Sequence, residues 1–305
     1  MQSAPRRKLS QDGYLVVREY LSCKVLEGLR SICRDVLDTL PREQFNSGGG
    51  TYDICGYSAF AEIVSHDDTA KVMAELGFVS FKWLGGHLRA RPGYAPPQKW
   101  HQDWWGWSNG VSYHEKPLGL TFIYHLEDTT PRTGCLRAIP GSHHFWHELH
   151  ELRDEQIDDM SWTEHNENAA SASHKDEVAI HINAGDLVIM DNRLLRSAYA
   201  NTEANSQNLL SLLYAPEFEE MPAPIQHRYA KMFTRAATKT GTSASRSGSP
   251  LDWPEDKRAI ARHLFPQAAT SVAEEVVNCR PARVRMRERQ AGTGRFNVSG
   301  DNYMP

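Results

Sequence analysis

Between Phe78 and Tyr214 the chain breaks into short apolar runs separated by Gly, Pro and Asn. Candidate strands are 81–84, 87–91, 100–104, 118–124, 136–139, 178–182, 186–190, 195–199 and 209–214. Many short strands with no helical pattern between them predict a sandwich, barrel or jelly roll. Upstream, the turn at Asp12-Gly13 leads into the apolar run Tyr14 to Val17. Ser22 then stands where a helix N-cap belongs, and Val25, Leu29, Ile32 and Val36 recur at helical spacing. That predicts a helix over 22–40 on an outer sheet face, ended by Pro41 and the run Gly48 to Gly50. A shorter helix is expected over 69–76, capped by Asp67 or Asp68. Downstream, 225–233 and 253–265 look helical, with a low-complexity linker over 238–250 between them. Residues 280–289 alternate basic and apolar positions and read as a solvated tail first, a contact surface second. The polar stretch 145–176 is too long for an ordinary loop and is expected to be a lid over a pocket mouth. The division that follows is a jelly-roll domain over 1–235, with the N-terminal helices and the lid, then an extension over 236–305.

Composition narrows the functions. A net charge of −4 over 305 residues gives no reason to expect nucleic acid. Five widely spaced cysteines without a Cys-x-x-Cys pair argue against a disulfide framework or a zinc knuckle and suit a reducing compartment. Neither a signal-peptide core nor a membrane-length apolar run is present, so the expectation is a cytoplasmic protein without membrane contact.

Candidate chemistry centres on Trp100-His101-Gln102-Asp103-Trp104-Trp105. On an extended strand His101 and Asp103 face one side and Gln102 the other. An imidazole and a carboxylate so placed supply two of the three protein ligands of a facial-triad iron site. Trp105 shares that face and is the candidate substrate contact. Arg89 and Arg91, on the strand leading to the site, are candidate carboxylate binders. His143, His144, His147 and His150 include a pair one helical turn apart. No cysteine or carboxylate completes them at a characteristic spacing, so they read as a polar loop.

Several ordered motifs carry a resemblance: Asp12-Gly13-Tyr14-Leu15-Val16, Trp100-His101-Gln102-Asp103, 126–131, 134–143, Gly185 to Asp191, and Asn201 before the strand ending at Tyr214. Together they resemble the phytanoyl-CoA dioxygenase family over roughly residues 10–230. The resemblance implies a mainly β fold with flanking helices, a double-stranded β-helix (cupin-type jelly roll). It also implies Fe(II), held by His101 and Asp103, and 2-oxoglutarate, used to oxidise a small or natural-product substrate. Two positions depart from the family pattern. Five residues before Asn201, where the second iron-binding histidine belongs, stands Arg196. Eleven residues later, where an arginine grips the far carboxylate of 2-oxoglutarate, stands Gln207. Arg196 is expected to fill the vacated metal position and pair with Asp103. His125 and His181 are the candidates for a substitute ligand. Three functions follow: an oxygenase with an altered site, a non-catalytic partner in a homo- or hetero-dimer with an active oxygenase subunit, or a metal-free isomerase or cyclase using His101 or Asp103 as acid–base. Iron and 2-oxoglutarate are the cofactors of the first; the others need none.

Overall fold

The computed structural model describes residues 3–40, 49–151, 171–234, 248–267, 280–283 and 286. Helix α1 (Ala4–Asp12) leads into strand β1 (Tyr14–Val17), and α2 (Cys23–Thr39) follows. β2 (Gly50–Asp53), the short α3 (Ala61–Val64) and α4 (Asp67–Glu75) precede the long β3 (Lys82–Arg91). Then come β4 (Leu120–His125), β5 (Leu136–Ala138), β6 (Val178–Ile180), β7 (Leu187–Asp191), β8 (Arg196–Ala198) and β9 (Gln207–Ala215). Helices α5 (Ala223–Thr234) and α6 (Glu255–Ala261) complete the set. Six strands form one antiparallel sheet in the order β1-β7-β4-β9-β3-β2, and β6-β5-β8 form a second. This is the double-stranded β-helix that the strand pattern and the resemblance predict.

Side-chain alternation gives each strand of the large sheet two duties. Leu120, Phe122 and Tyr124 of β4, Leu187 and Ile189 of β7, and Leu210, Leu212 and Tyr214 of β9 point outward into the main core. There they meet Leu26, Leu29, Cys33 and Val36 of α2 and Met73 of α4. The alternate positions Ile123, Val188 and Met190 turn inward and pack on Leu136, Ala138, Ile180 and Ala198 of the small sheet. Polar residues at the same inward phase, Thr121, His125, Arg89, Arg91 and Gln207, therefore lie inside the roll.

The Ser22 cap forms as expected, its hydroxyl accepting from Val25 N. Ser22→Ala should cost about 0.5–1 kcal/mol in urea unfolding, and no measurable change would show that the cap adds nothing to α2. The buried face of α2 runs through Leu26, Leu29, Cys33 and Val36, with Val25 and Ile32 at its edge. The α4 cap is His66, whose ring accepts from Asp68 N at 3.3 Å, rather than either aspartate. Helix α1 was not expected. It is almost wholly polar, only Leu9 being buried, and it forms on its Ser3 cap and early proline. Gly13 ends it at φ +81°, and a Cβ there would lie 2.6 Å from the Leu194 side chain and 2.7 Å from the His143 ring. The runs 81–84 and 87–91 are one strand with a register shift between Trp83 and Gly85.

The C-terminal segments pack on the roll. Trp253 joins Trp83, Phe233 and Phe265 in an aromatic cluster, and its Nε1 donates to Cys55 O at 2.7 Å. Arg283 lies over the Trp146 ring at 4.1 Å, and Met286 is buried beside Tyr113. The solvated-tail expectation for these residues is thus corrected, because their apolar positions find a partner surface. The expected lid is described only at its ends, 145–151 and 171–176; residues 152–170, most of the 238–250 linker and much of 280–289 lie outside the described residues. Among the described residues no helix is long and apolar enough to cross a membrane.

Candidate functional site

The segment 100–104 is not a regular strand. It makes one antiparallel bridge, His101 to Arg196, with both backbone N–H groups donating across at 3.0 Å. A second anchor follows, Asp103 N donating to Asn192 O at 2.9 Å. These contacts carry His101 and Asp103 to the edge of the small sheet, where their side chains share one side: Nε2 and Oδ1 are 3.8 Å apart. His101 Nδ1 lies 2.9 Å from Lys99 O, which fixes the tautomer with Nδ1 donating and the Nε2 lone pair facing inward. That Nε2 is buried without a hydrogen bond. Burial first, then the neighbouring Arg196, pulls the imidazole down to about 3.

Arg196 sits across this pair. Its Nη2 donates to Asp103 Oδ2, its Nη1 reaches Met190 Sδ at 3.7 Å, and the side chain is only 8% exposed. Thr121 adds a hydroxyl contact to Asp103 Oδ2 at 3.4 Å. Burial, and then the Arg89 guanidinium, lower Arg196 to about 9, so it remains charged at neutral pH.

Half of this centre fits a facial-triad metal, namely the inward lone pair of His101 and Asp103 Oδ1. The other half does not. A guanidinium has no lone pair to offer, and about 4 Å from a divalent ion it would be repelled by on the order of 8 kcal/mol at an effective dielectric of 20. The donor set is therefore one nitrogen and one carboxylate already neutralised by its own counter-ion.

At the next inward position along the roll, Arg89, Arg91, His125, Thr129, Gln207 and Leu209 line a cavity of about 20 Å³. That is room for about one water molecule, far less than a five-carbon dicarboxylate. Arg91 is committed to the backbone, its guanidinium donating to Gly134 O at 2.6 Å, Pro96 O at 3.0 Å and Tyr199 O. Three main-chain carbonyls thus take three of the five donors of the guanidinium expected to meet a ligand carboxylate. Arg89 faces the cavity, lowered by burial to about 10. Of the substitute-ligand candidates, His125 lines this cavity and burial holds it at about 4, whereas His181 is exposed at the surface. Trp105, the candidate substrate contact, packs among aromatic rings. Because the strand ends after His101, alternation no longer governs it. It stacks on Trp104 at 5.3 Å, meets Tyr229 of α5 at 5.4 Å, and carries Arg228 on its face.

Local spacing also missed a cluster at the ends of the expected lid. His147, His174 and Asp176 bring three ligand atoms within 4.8 Å of one another. The carboxylate that completes the histidine loop arrives from beyond residue 170, so only the pairing of β5 with β6, Ala138 opposite Val178, reveals it. A companion anchor holds the same end: Arg137 binds Glu177 at 2.9 Å and lies over the Trp100 ring at 4.7 Å.

A double-stranded β-helix bearing His-x-Asp at the edge of its small sheet defines the class of cupin-type oxygenase folds. The chain belongs to the phytanoyl-CoA dioxygenase family, whose model matches residues 9–207. A rice (Oryza sativa subsp. japonica) protein, Phytanoyl-CoA dioxygenase 1, is 32% identical over 126 residues, 41% of this chain and 41% of its own length. The match therefore spans about two-fifths of that relative. Among solved structures, the non-haem α-ketoglutarate-dependent epimerase SnoN of nogalamycin biosynthesis aligns with TM-score 0.54 at 17% identity, over 80% of this chain and 94% of its own. HygX from Streptomyces hygroscopicus, solved with nickel and 2-oxoglutarate, aligns with TM-score 0.50 at 15% identity, over 69% and 85%. At such identities the likeness is one of fold.

Proposed function

We propose that this family member does not run iron- and 2-oxoglutarate-dependent oxidation at its centre. It serves instead as a non-catalytic, substrate-holding or stabilising subunit beside an active oxygenase. The observation that carries the reading is the Arg196–Asp103 pair, which places a fixed positive charge where the third iron ligand belongs and occupies the carboxylate the metal needs. The small cavity at Arg89 and Gln207 supports it from the cosubstrate side. Metal-free acid–base catalysis is disfavoured, since an imidazole held at about 3 is a weak base at neutral pH. Cys33, Cys55 and Cys135 are buried free thiols, which suits a cytoplasmic location.

One observation favours the altered-site oxygenase: His101 already holds the ligand tautomer. Anaerobic addition of Fe(II) with 2-oxoglutarate separates the two readings. The expected result is no visible charge-transfer band of an iron–oxoacid chelate, and no succinate release once oxygen is admitted. A saturable band with succinate formation would return the protein to the working oxygenases.

A further inference from the structure

We propose that His147, His174 and Asp176 form a second metal site, for a zinc-class divalent ion, that clasps the two ends of the segment 152–170. The site stands apart from the central His101–Asp103 pair in residues and in purpose.

The geometry is close to a coordination shell. Asp176 Oδ2 lies 3.5 Å from His147 Nε2 and 3.7 Å from His174 Nδ1. Two ligands at ~2.1 Å in a tetrahedral shell are ~3.3–3.4 Å apart, so contraction by a few tenths of an ångström closes the two edges at Asp176, and one ligand atom of each residue already lies within 4.8 Å of the others. The two rings already meet edge to face, centroids 4.5 Å apart.

His174 is prepared for the role. Its Nε2 is 2.5 Å from Glu148 Oε1, and its Nδ1 accepts Asp176 N at 3.3 Å. The proton therefore sits on Nε2, held by a carboxylate, and the Nδ1 lone pair, which accepts from Asp176 N, is the one a metal would take over in place of that long hydrogen bond. A carboxylate behind a ligating imidazole is the arrangement that orients metal-binding histidines and raises their basicity. His147 needs one adjustment. Its Nδ1 accepts Leu149 N at 3.2 Å, which leaves its proton on Nε2. On metal binding that proton leaves Nε2 and one is taken up at Nδ1, with the loss of the backbone hydrogen bond from Leu149 N. Two imidazoles and one carboxylate suit zinc-class ions. Asp176 is half exposed, which leaves the fourth position to water.

The benefit is mechanical. His147 follows β5 and Asp176 precedes β6, neighbours in the small sheet, so the ion would join both ends of the intervening segment. The polar loop expected of these histidines is in this reading a clasp.

The test is Zn²⁺ titration by calorimetry into chelator-stripped full-length protein, repeated with Co²⁺ for its visible spectrum. The expected result is one ion per chain, an intense tetrahedral Co²⁺ spectrum, and loss of both in His174→Ala and in Asp176→Asn. Glu148→Gln should weaken binding by about 10- to 100-fold, while His101→Ala leaves it unchanged. Circular dichroism confirms that each variant is folded, and Asp176→Asn, at an exposed side chain, guards against a folding artefact. No Zn²⁺ binding by the wild type, binding that survives both ligand variants, or binding lost with His101→Ala would overturn the proposal.

Discussion

Arg196→Ala is expected to lower the unfolding free energy by about 3–5 kcal/mol, as removal of one partner from a buried ion pair does. Among the described residues, the substitution leaves Asp103 with the Thr121 hydroxyl at 3.4 Å and a neutral His101 ring as side-chain neighbours. It also opens a void against Met190, so the loss has a charge and a packing component. Adding Asp103→Asn should recover part of it, because removing both charges is milder than orphaning one. Urea midpoints at constant m-value measure both variants. A loss below about 1 kcal/mol would place the pair among exposed ion pairs of little energetic consequence. Arg196→His tests the same position from the functional side. It removes the repulsive charge and supplies a second imidazole as the third protein ligand, so Fe(II) or Mn(II) should then bind in the micromolar range. Adding Gln207→Arg should strengthen 2-oxoglutarate binding by roughly 10- to 150-fold, the equivalent of a charge-assisted hydrogen bond of about 1.5–3 kcal/mol. Metal affinity equal in wild type and Arg196→His would show that Arg196 does not guard the site.

How legible each feature was in the sequence depended on how far its cause lies along the chain. The strands of the large sheet were readable because alternation is local, and β4, β7 and β9 carry it without interruption. Arg196 and Gln207 were found by counting from motif to motif, since the register of β8 and β9 is rigid between Asn201 and Tyr214. Trp105 was assigned its face by the same rule, applied where no regular strand continues. One bridge at His101 does not make a strand, and the chain turns toward α5 instead. The backbone bonds of Arg91 were not legible, because its partners are main-chain carbonyls at Gly134, Pro96 and Tyr199, and backbone acceptors leave no mark on composition. The His147 cluster is the extreme case. Its donors are separated by a long insert, and their meeting depends on the pairing of two three-residue strands that no local pattern announces.

Stability should fall steeply as the pH drops from about 6.5 toward 4. Burial is the main cause that holds three imidazoles low, His101 at about 3, His125 at about 4 and His150 at about 3. Arg196 lowers His101 further, and His147 lowers His150. In the unfolded chain each returns to ~6.5. Below that pH the unfolded state takes up protons that the folded state refuses, so these groups favour folding fully only above ~6.5 and lose that contribution as pH falls toward 3–4. Three such protons give a slope of roughly 4 kcal/mol per pH unit. Carboxylates held low, such as Asp186 and Asp191, act in the same direction but only below their own unfolded range near 4. The histidine phase should therefore appear first and alone between pH 6 and 5. Urea midpoints across that interval measure it, and His125→Gln should remove about one proton, or about 1.4 kcal/mol per pH unit, from the slope. A midpoint flat from pH 7 to 5 would mean that these rings take up protons as readily in the folded state as in the unfolded chain. In that case the centre would hold an imidazolium beside Arg196 below about pH 6.5, and the inward lone pair of His101 that keeps the oxygenase reading alive would be free only above it.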